Sequence, residues 1–318
     1  MAPGLFQRQR ACEGHLEHCR VSPRTVGPDP PPSTAFPHHF QVTADFTLPA
    51  TPAAALAHPM RLLVSNDDGI LSPLLHALVA ALRTAGHELY VVAPLQEQSW
   101  TGASKCRHRP VASAVCDHGL GVPTWTVDGT PSDCVNIALA HLLTGGPAAF
   151  DGVVTGINLG LNTTLGFINA SGTIAAAWEG ALHGLPAIAC SQDLTYEDWH
   201  QLTETKSFAG LETARMAVEN SAAHAARMAG ELLPATGRGK FIVHNLNFPR
   251  PCTPATRVVR TVPARVMVPG LFSPAADDGT HRFVFAEPND CSPPELVTDL
   301  ATVAAGHISH SILDYTRL

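Results

Sequence analysis

Two adjacent carboxylates, Asp67 and Asp68, stand between a short apolar run and Gly69. Negative charges this close repel each other unless one is protonated or a cation lies between them. A hard divalent cation bound by oxygen ligands satisfies both groups most simply. The alternative is that Asp68 caps the following helix while Asp67 stays in water. The pair therefore predicts either a divalent-metal site or an ordinary helix start.

Two further segments carry polar groups beside glycines. In residues 156–162, Asn158 and Asn162 alternate with glycines, and an asparagine can ligate a cation through its carbonyl oxygen or donate to phosphate through its NH₂ group. Ser171-Gly172-Thr173 precedes a helical pattern, where free N–H groups, hydroxyls and the helix dipole favour an anion. An ordinary loop and a plain helix cap are the alternatives. Taken with the carboxylates, the segments indicate phosphate chemistry beside a metal ion.

The apolar patterning places these polar segments at the ends of strands. Residues 61–65 and 88–93 are apolar runs, and residues 73–85 between them have apolar side chains at helical spacing. This βαβ unit predicts an α/β fold. The same reasoning predicts the remaining strands at 111–115, 124–127, 151–155, 186–190 and 240–246, and helices at 131–143, after Thr173 and at 208–233. In such a sheet, ligands bind beyond the carboxyl ends of the strands.

The pattern changes from about Arg257. Alternating apolar residues there, including Val258, Val262 and Phe283, predict antiparallel strands, followed by a helix at 299–305 and a strand at 307–313. The predicted fold is a Rossmann-like, doubly wound, mostly parallel α/β sheet with a smaller β-rich C-terminal part. The first turn lacks GxGxxG and carries carboxylates that repel phosphate, which disfavours a dinucleotide-dependent redox enzyme.

The composition divides the chain into three parts. Residues 1–59 hold ten of the 27 prolines and four Arg against four acids, so they contribute nothing to the net charge of −7. We interpret 1–59 as a disordered leader, or as sequence upstream of the true start at Met60. Residues 60–250 are predicted to form the α/β domain that carries the candidate site residues, and residues 251–318 the β-rich C-terminal segment.

The charge and the cysteines limit the partners and the compartment. A net charge of −7 argues against a nucleic-acid polymer or an anionic membrane as partner. No stretch reaches the roughly 20 apolar residues of a membrane-spanning helix. The eight cysteines show no CxxC pair or zinc-type spacing, which favours a reducing, cytoplasmic location.

Several motifs occur in the order found in the SurE family of 5′/3′-nucleotidases, also called survival proteins. They are Met60–Gly69 (MRLLVSNDDG), Val91–Pro94 (VVAP), Gln98-Ser99 with Gly102-Ala103-Ser104, Gly129–Val135 (GTPSDCV), Val154–Asn158 (VTGIN) and Ser171–Gly180 (SGTIAAAWEG). Residues 243–249 and 298–313 also resemble later segments of the family. The resemblance covers about residues 60–315, and the ordered set is far more specific than any one motif.

The resemblance implies roles for individual residues. It assigns Asp67, Asp68, Ser99 and Asn158 to one divalent metal ion per subunit, Mg²⁺ or Mn²⁺. Because Trp100 and Thr101 separate Ser99 from Gly102, Thr101 and Ser104 are alternative ligands. The phosphate pocket is assigned to Asn162, Ser171, Gly172 and Thr173, and the catalytic set to Asn66, Asp67 and Asp68.

The function implied is metal-dependent hydrolysis of nucleoside 5′-monophosphates, and of 3′-monophosphates as well, to nucleoside and phosphate. The alternatives from the same site are an exopolyphosphatase or a broad acid phosphatase, and, outside enzymes, a nucleotide-binding scaffold. Water is the favoured nucleophile, since the DxDx[T/V] pattern of aspartyl-phosphate enzymes is absent. The resemblance also implies a homodimer or homotetramer built with C-terminal elements.

Overall fold

The structure, a computed structural model, describes residues 59–284 and 289–317. Its strands are β1 Arg61–Ser65, β2 Glu88–Pro94, β3 Ser113–Val115, β4 Thr124–Val127, β5 Gly152–Leu159, β6 Ala187–Gln192, β7 Ile242–Phe248, β8 Val258–Thr261, β9 Val266–Met267, β10 Asn289–Asp290 and β11 Ile308–Asp314. Its α-helices are α1 Pro73–Thr84, α2 Pro131–Ile137, α3 Thr164–Ala170, α4 Gly172–Leu182, α5 Tyr196–Thr205, α6 Glu212–Thr236 and α7 Asp299–Ala304. A π-helical turn, Ala138–Leu142, continues α2.

Nine of these strands form one sheet in the order β3-β4-β2-β1-β5-β6-β7-β11-β8. The central run from β4 to β7 is parallel throughout, whereas β3 and β11 are antiparallel to β4 and β7. The predicted mostly parallel α/β fold is therefore confirmed. The strand order reverses between β1 and β5, and open α/β sheets bind ligands in the crevice at such a reversal. Asp67 follows β1, and Asn158 lies near the end of β5.

The core strands alternate between two apolar layers. Leu62 and Val64 of β1 belong to the layer under α1 and α6, and Leu63 belongs to the layer under α2 and α4. Parallel strands covered by helices on both faces need this double burial. Gly180 lets α4 lie close to β5, since a Cβ there would stand 2.5 Å from Cγ2 of Val153.

The C-terminal part departs from the prediction in its pairing. The antiparallel pairing predicted from Val258 onward is wrong for β8, which runs parallel to β11 at the sheet edge. Antiparallel pairing does occur between β9 and β10 and at the Phe272–Phe283 bridge. Because β8 and β11 extend the main sheet, residues 251–318 share that sheet with residues 60–250.

Two helices of the structure have no counterpart in the sequence-based prediction. The helices α3 and α5 were not predicted, and both follow strands that end at the same edge of the sheet. The predicted leader, residues 1–59, lies outside the described residues except for Pro59. Within residues 59–284 and 289–317, the structure has no helix that is both long and apolar enough to cross a membrane.

A buried histidine pair joins β7 to β11. His244 Nδ1 and His310 Nε2 are 2.9 Å apart, and Oγ1 of Thr236 lies 2.6 Å from His244 Nε2. Burial, with the nearby positive charge of Arg260, lowers the pKa of His244 to about 4. Burial, His244 and Arg260 lower the pKa of His310 to about 3. Both rings are therefore neutral at pH 7.

We expect the histidine pair to make the fold sensitive to mild acid. Below the ordinary pKa of 6.5, the unfolded chain binds a proton on each ring and the folded protein does not. The contribution of this pair to the free energy of unfolding therefore falls as the pH drops from about 6.5 toward 4, by up to about 1.4 kcal/mol per pH unit for each ring. Chemical denaturation of the wild type and of a variant that lacks one ring, each at pH 7 and pH 5, isolates this contribution.

His310→Gln should show a smaller pH dependence, because it keeps a hydrogen-bonding group and removes one titrating ring. His108→Gln is the matched control, since His108 is exposed. An unchanged pH dependence in His310→Gln would contradict the assignment.

Candidate active site

The turn after β1 buries both carboxylates. Nδ2 of Asn66 donates to the carbonyl oxygen of Gly69 at 2.9 Å, and the Gly69 carbonyl also accepts from the N–H of Ser72. Asp67 and Asp68 are only 2% and 6% exposed. The turn therefore holds two acidic groups in the interior, where charge is expensive.

Each carboxylate accepts hydrogen bonds from a distant part of the chain, and Asp67 accepts from the backbone as well as from the side chain of Thr173. The hydroxyl of Thr173 donates to Oδ1 of Asp67, and the N–H of Leu159 donates to Oδ2 of Asp68 at 3.0 Å. Asp68 therefore binds the end of β5, and the alternative that it caps α1 is wrong, since the N-cap of that helix is Ser72.

Burial dominates the electrostatics of the pair. It raises the pKa of Asp67 to about 6, against the lowering effect of the Thr173 hydroxyl. Burial and the negative charge of Asp67 raise the pKa of Asp68 well above its ordinary value. Neither carboxylate forms an ion pair with any residue in 59–284 or 289–317. The site therefore has an excess of buried negative charge.

The N-terminus of α4 lies directly against Asp67. Ser171 is the N-cap, and its Oγ accepts from the N–H of Ile174 at 3.1 Å. A Cβ at position 172 would stand 2.8 Å from Cβ of Asp67 and 3.0 Å from Cγ of Pro131, so only glycine fits. The predicted Ser171-Gly172-Thr173 segment thus brings the positive end of a helix dipole to the carboxylates.

Asn158 and Asn162 occupy the edge beside the carboxylates. Asn158 donates through Nδ2 to the carbonyl oxygen of Gly160 at 2.7 Å, which directs its amide within its own turn. Nδ2 of Asn162 donates to Oγ of Ser191 at 2.9 Å. The amide donor of Asn162 is therefore engaged by the protein itself.

Ser99 lies in the loop after β2 and is exposed. Its N–H donates to Oε1 of Glu97 at 2.6 Å, and its hydroxyl makes no hydrogen bond to a described residue. The loop itself is tied to the site, because the N–H of Gln98 donates to the backbone oxygen of Asp67 at 2.7 Å. Of the two alternative ligands, Thr101 uses its hydroxyl to donate to the carbonyl oxygen of Gln98 at 2.8 Å.

The residues present fit a hard divalent ion. Among the described residues, no group of three or more His, Cys, Asp and Glu side chains could hold a metal, so a metal ion beside the two carboxylates would also need amide or hydroxyl oxygens. Oδ1 of Asn66 is buried without a hydrogen-bond partner beside Asp67. Oxygen-only donors of this kind suit Mg²⁺ or Mn²⁺.

Two asparagines outside the sequence-predicted site support Asn162. Oδ1 of Asn247 accepts from the N–H of Asn162, and Nδ2 of Asn245 donates to its carbonyl oxygen, each at 2.8 Å. Two asparagines at alternate positions of an apolar strand are the signal that could have identified them, since alternate residues share a face. Lys206 was not predicted either, and its positive charge opposes the rise in the pKa of Asp68.

Comparisons with known proteins match this chain to one family. The family model described as "Survival protein SurE" matches residues 62–267. The "5'-nucleotidase SurE 1" of Thermus thermophilus is 50% identical over 140 residues, 43% of this chain and 53% of that protein. The "5'-nucleotidase SurE" of Prochlorococcus marinus (strain MIT 9303) is 44% identical over 135 residues, 42% of this chain and 49% of that protein.

The solved structures give a similar result. The crystal structure of the Sure protein from Aquifex aeolicus superposes with a TM-score of 0.58 at 26% sequence identity, covering 80% of this chain and 93% of that one. In sequence, the matched part of this chain spans about half the length of the two curated relatives.

We expect Gly172→Ala to disrupt the site. The new Cβ must displace the side chain of Asp67 or the ring of Pro131, which should lower the free energy of unfolding by about 1–3 kcal/mol and weaken Mn²⁺ binding measured by calorimetry. Gly270→Ala is the control, because a Cβ there meets nothing within 4 Å. Wild-type stability together with wild-type Mn²⁺ affinity in Gly172→Ala would show that the close contact is not required.

Proposed function

The chain belongs to the SurE family, and on that premise we propose that it is a divalent-metal-dependent phosphatase of nucleoside 5′-monophosphates. The names of the curated relatives, each a 5′-nucleotidase, support this activity. The observation that carries the proposal is structural: two buried carboxylates without an ion-pair partner among the described residues lie against a helix N-terminus.

The proposed metal ligands are Asp67, Asp68, Asn158 and Ser99. A bound divalent ion would neutralise the two carboxylates and polarise the phosphoryl oxygens. Ser99 can join this set because the Gln98–Asp67 hydrogen bond holds its loop at the site. Asn66 would contribute by holding the turn through its bond to Gly69.

The proposed phosphate pocket is the first turn of α4. Ser171 caps the N–H of Ile174 and the N–H of Thr173 donates to Asp67, which leaves the N–H group of Gly172 and the helix dipole to meet the phosphoryl oxygens. Asn162 would line the pocket with its backbone and side chain held by Asn247 and Ser191. Donors that are fixed before the substrate arrives stabilise developing charge most effectively.

Asp67 is the proposed base. Burial raises its pKa to about 6 in the metal-free protein, and a bound cation would lower that pKa and keep the carboxylate ionised to accept a proton from the attacking water. The Thr173 hydroxyl holds Oδ1, and the backbone of Thr173 also donates to the carboxylate, so its orientation is fixed. Water, rather than Asp67, is the proposed nucleophile.

A panel of substrates and metals tests the proposal. We expect the full chain with Mg²⁺ or Mn²⁺ to hydrolyse 5′-AMP and 5′-GMP faster than polyphosphate or a simple phosphate ester, and chelator to abolish turnover. Asp67→Asn should reduce kcat about 100-fold or more, because it removes a metal ligand and the base. Asp193→Asn is the control, since Asp193 pairs with Arg250 at the same edge of the sheet.

Unfolding of the same variants provides a second readout. Because burial raises the pKa of Asp67 from 3.8 to about 6, the contribution of Asp67 to the stability of the metal-free fold falls as the pH rises through that range. Asp67→Asn should therefore unfold at the same or a higher temperature than the metal-free wild type at pH 7.

Two results of the activity assays would contradict the proposal. Faster hydrolysis of polyphosphate than of nucleotides would indicate an exopolyphosphatase, and full activity in Asp67→Asn would contradict the role assigned to Asp67.

We also propose that the chain forms a homodimer or homotetramer through residues 251–318. This segment exposes large apolar side chains, with Met267 61% and Val268 39% exposed, and exposed apolar surface of this kind is typical of contact sites. Light scattering should give a mass of at least two chains. A monomer at micromolar concentration would contradict the proposal.

We propose a cytoplasmic location because the described cysteines form no disulfide bonds with one another. The six cysteines in the described part of the chain are free thiols, as is usual in a reducing compartment.

A further inference from the structure

An exposed aromatic cluster lies beside the candidate active site. The ring of Trp100 meets the ring of Phe167 with centroids 5.6 Å apart and the ring of Phe283 with centroids 5.1 Å apart, both edge to face. Phe272 packs edge to face on Phe283 at 5.9 Å. These four residues, here called the aromatic cluster, come from the loop after β2, from α3 and from the C-terminal segment.

Much of the aromatic cluster is open to solvent. Trp100 is 45% exposed, Phe283 49% and Phe272 64%. Single exposed apolar residues are ordinary, but several large rings gathered from three chain segments form the kind of patch that binds a ligand or a partner.

Short backbone links fix the aromatic cluster close to the carboxylates. The N–H of Gln98 donates to the backbone oxygen of Asp67 at 2.7 Å, and two peptide steps separate Gln98 from Trp100. At 3.80 Å per step, the Cα of Trp100 lies at most about 7.6 Å from that of Gln98. The backbone of Trp100 is therefore only two residues from the point where its loop is bonded to Asp67.

The other side of the loop is tied to the phosphate pocket. The N–H of Gly102 donates to the carbonyl oxygen of Ala170 at 3.0 Å, and Ala170 directly precedes Ser171. Trp100 itself has a φ of 62°, a left-handed conformation that bulky residues seldom adopt. The loop that carries Trp100 is thus tied at one end to Asp67 and at the other to the residue before Ser171.

We propose that the aromatic cluster is a nucleobase subsite, in which the base stacks on Trp100 while the phosphate occupies the first turn of α4. This inference rests on the proposed nucleotidase function. Every nucleobase has a flat π-face, and stacking on an aromatic side chain binds it without reading its hydrogen-bonding edge. The subsite therefore selects nucleotides over phosphate esters that lack a base, and it favours purines for their larger stacking area.

The experiment compares 5′-AMP with ribose 5-phosphate, which carries the same sugar phosphate without the base. We expect Trp100→Ala to lower the ratio of their kcat/KM values about tenfold, equivalent to about 1.4 kcal/mol, through the KM for AMP. Trp100→Phe should retain most of the ratio because it keeps an aromatic face. Trp199→Ala is the matched control, since Trp199 on α5 is 41% exposed and stacks on Tyr196 with ring centroids 6.3 Å apart.

Other outcomes overturn the inference. An equal loss for both substrates would mean that Trp100 merely fastens the loop, and an unchanged ratio would mean that the base does not reach it. Dissociation of the oligomer in Trp100→Ala with an equal loss for both substrates would identify the aromatic cluster as a contact with a second copy.

Failure of the proposed function gives a different result. In that case the wild type hydrolyses neither substrate, and calorimetric binding of AMP decides the subsite instead. Weaker AMP binding by Trp100→Ala than by Trp100→Phe would support the base subsite, and equal binding would overturn it.

Discussion

The burial of two adjacent carboxylates at the reversal point of the sheet is the constraint on which the rest of the site depends. Asp67 and Asp68 leave β1 where the sheet order turns toward β5, under helices that remove them from water. Isolated charges in such a place destabilise the fold unless they are protonated or compensated. Burial accordingly raises the pKa of both groups, because it disfavours their charged forms.

The surrounding structure partly offsets the negative charge of the two carboxylates and fixes their orientation. One hydroxyl, from Thr173, and one backbone N–H, from Leu159, hold the two carboxylates in place. The contact between Gly172 and Asp67 permits no side chain, so the dipole of α4 acts at close range. An acidic protein can thereby present a phosphate site, because the proposed cation would offset the carboxylates and the helix N-terminus would face the anion.

A layer of buried amides and hydroxyls supports the first set of residues. Asn245, Asn247 and Ser191 use their hydrogen bonds to fix Asn162 and leave the sheet edge rigid. The loop carrying Trp100 is fixed differently, by one backbone hydrogen bond to Asp67 and another to Ala170, the last residue of α3. Side chains held by such hydrogen bonds are suited to binding the phosphate that all nucleotide substrates share. The anchored loop would then contact the part of the substrate that differs from one nucleotide to another.

The sequence by itself determined the α/β class, most element positions and the identity of the acidic pair, because apolar periodicity and turn residues are local properties. Local patterns also explain the errors. α5 is short and mostly polar, and the pairing of β8 with β11 joins residues about 50 positions apart. Only the tertiary structure decided the strand order, the donor to each carboxylate and the closeness of Gly172 to Asp67. Each of these depends on which distant segments of the chain pack together. That choice is set by the contacts of the whole fold and cannot be read from any short stretch of sequence.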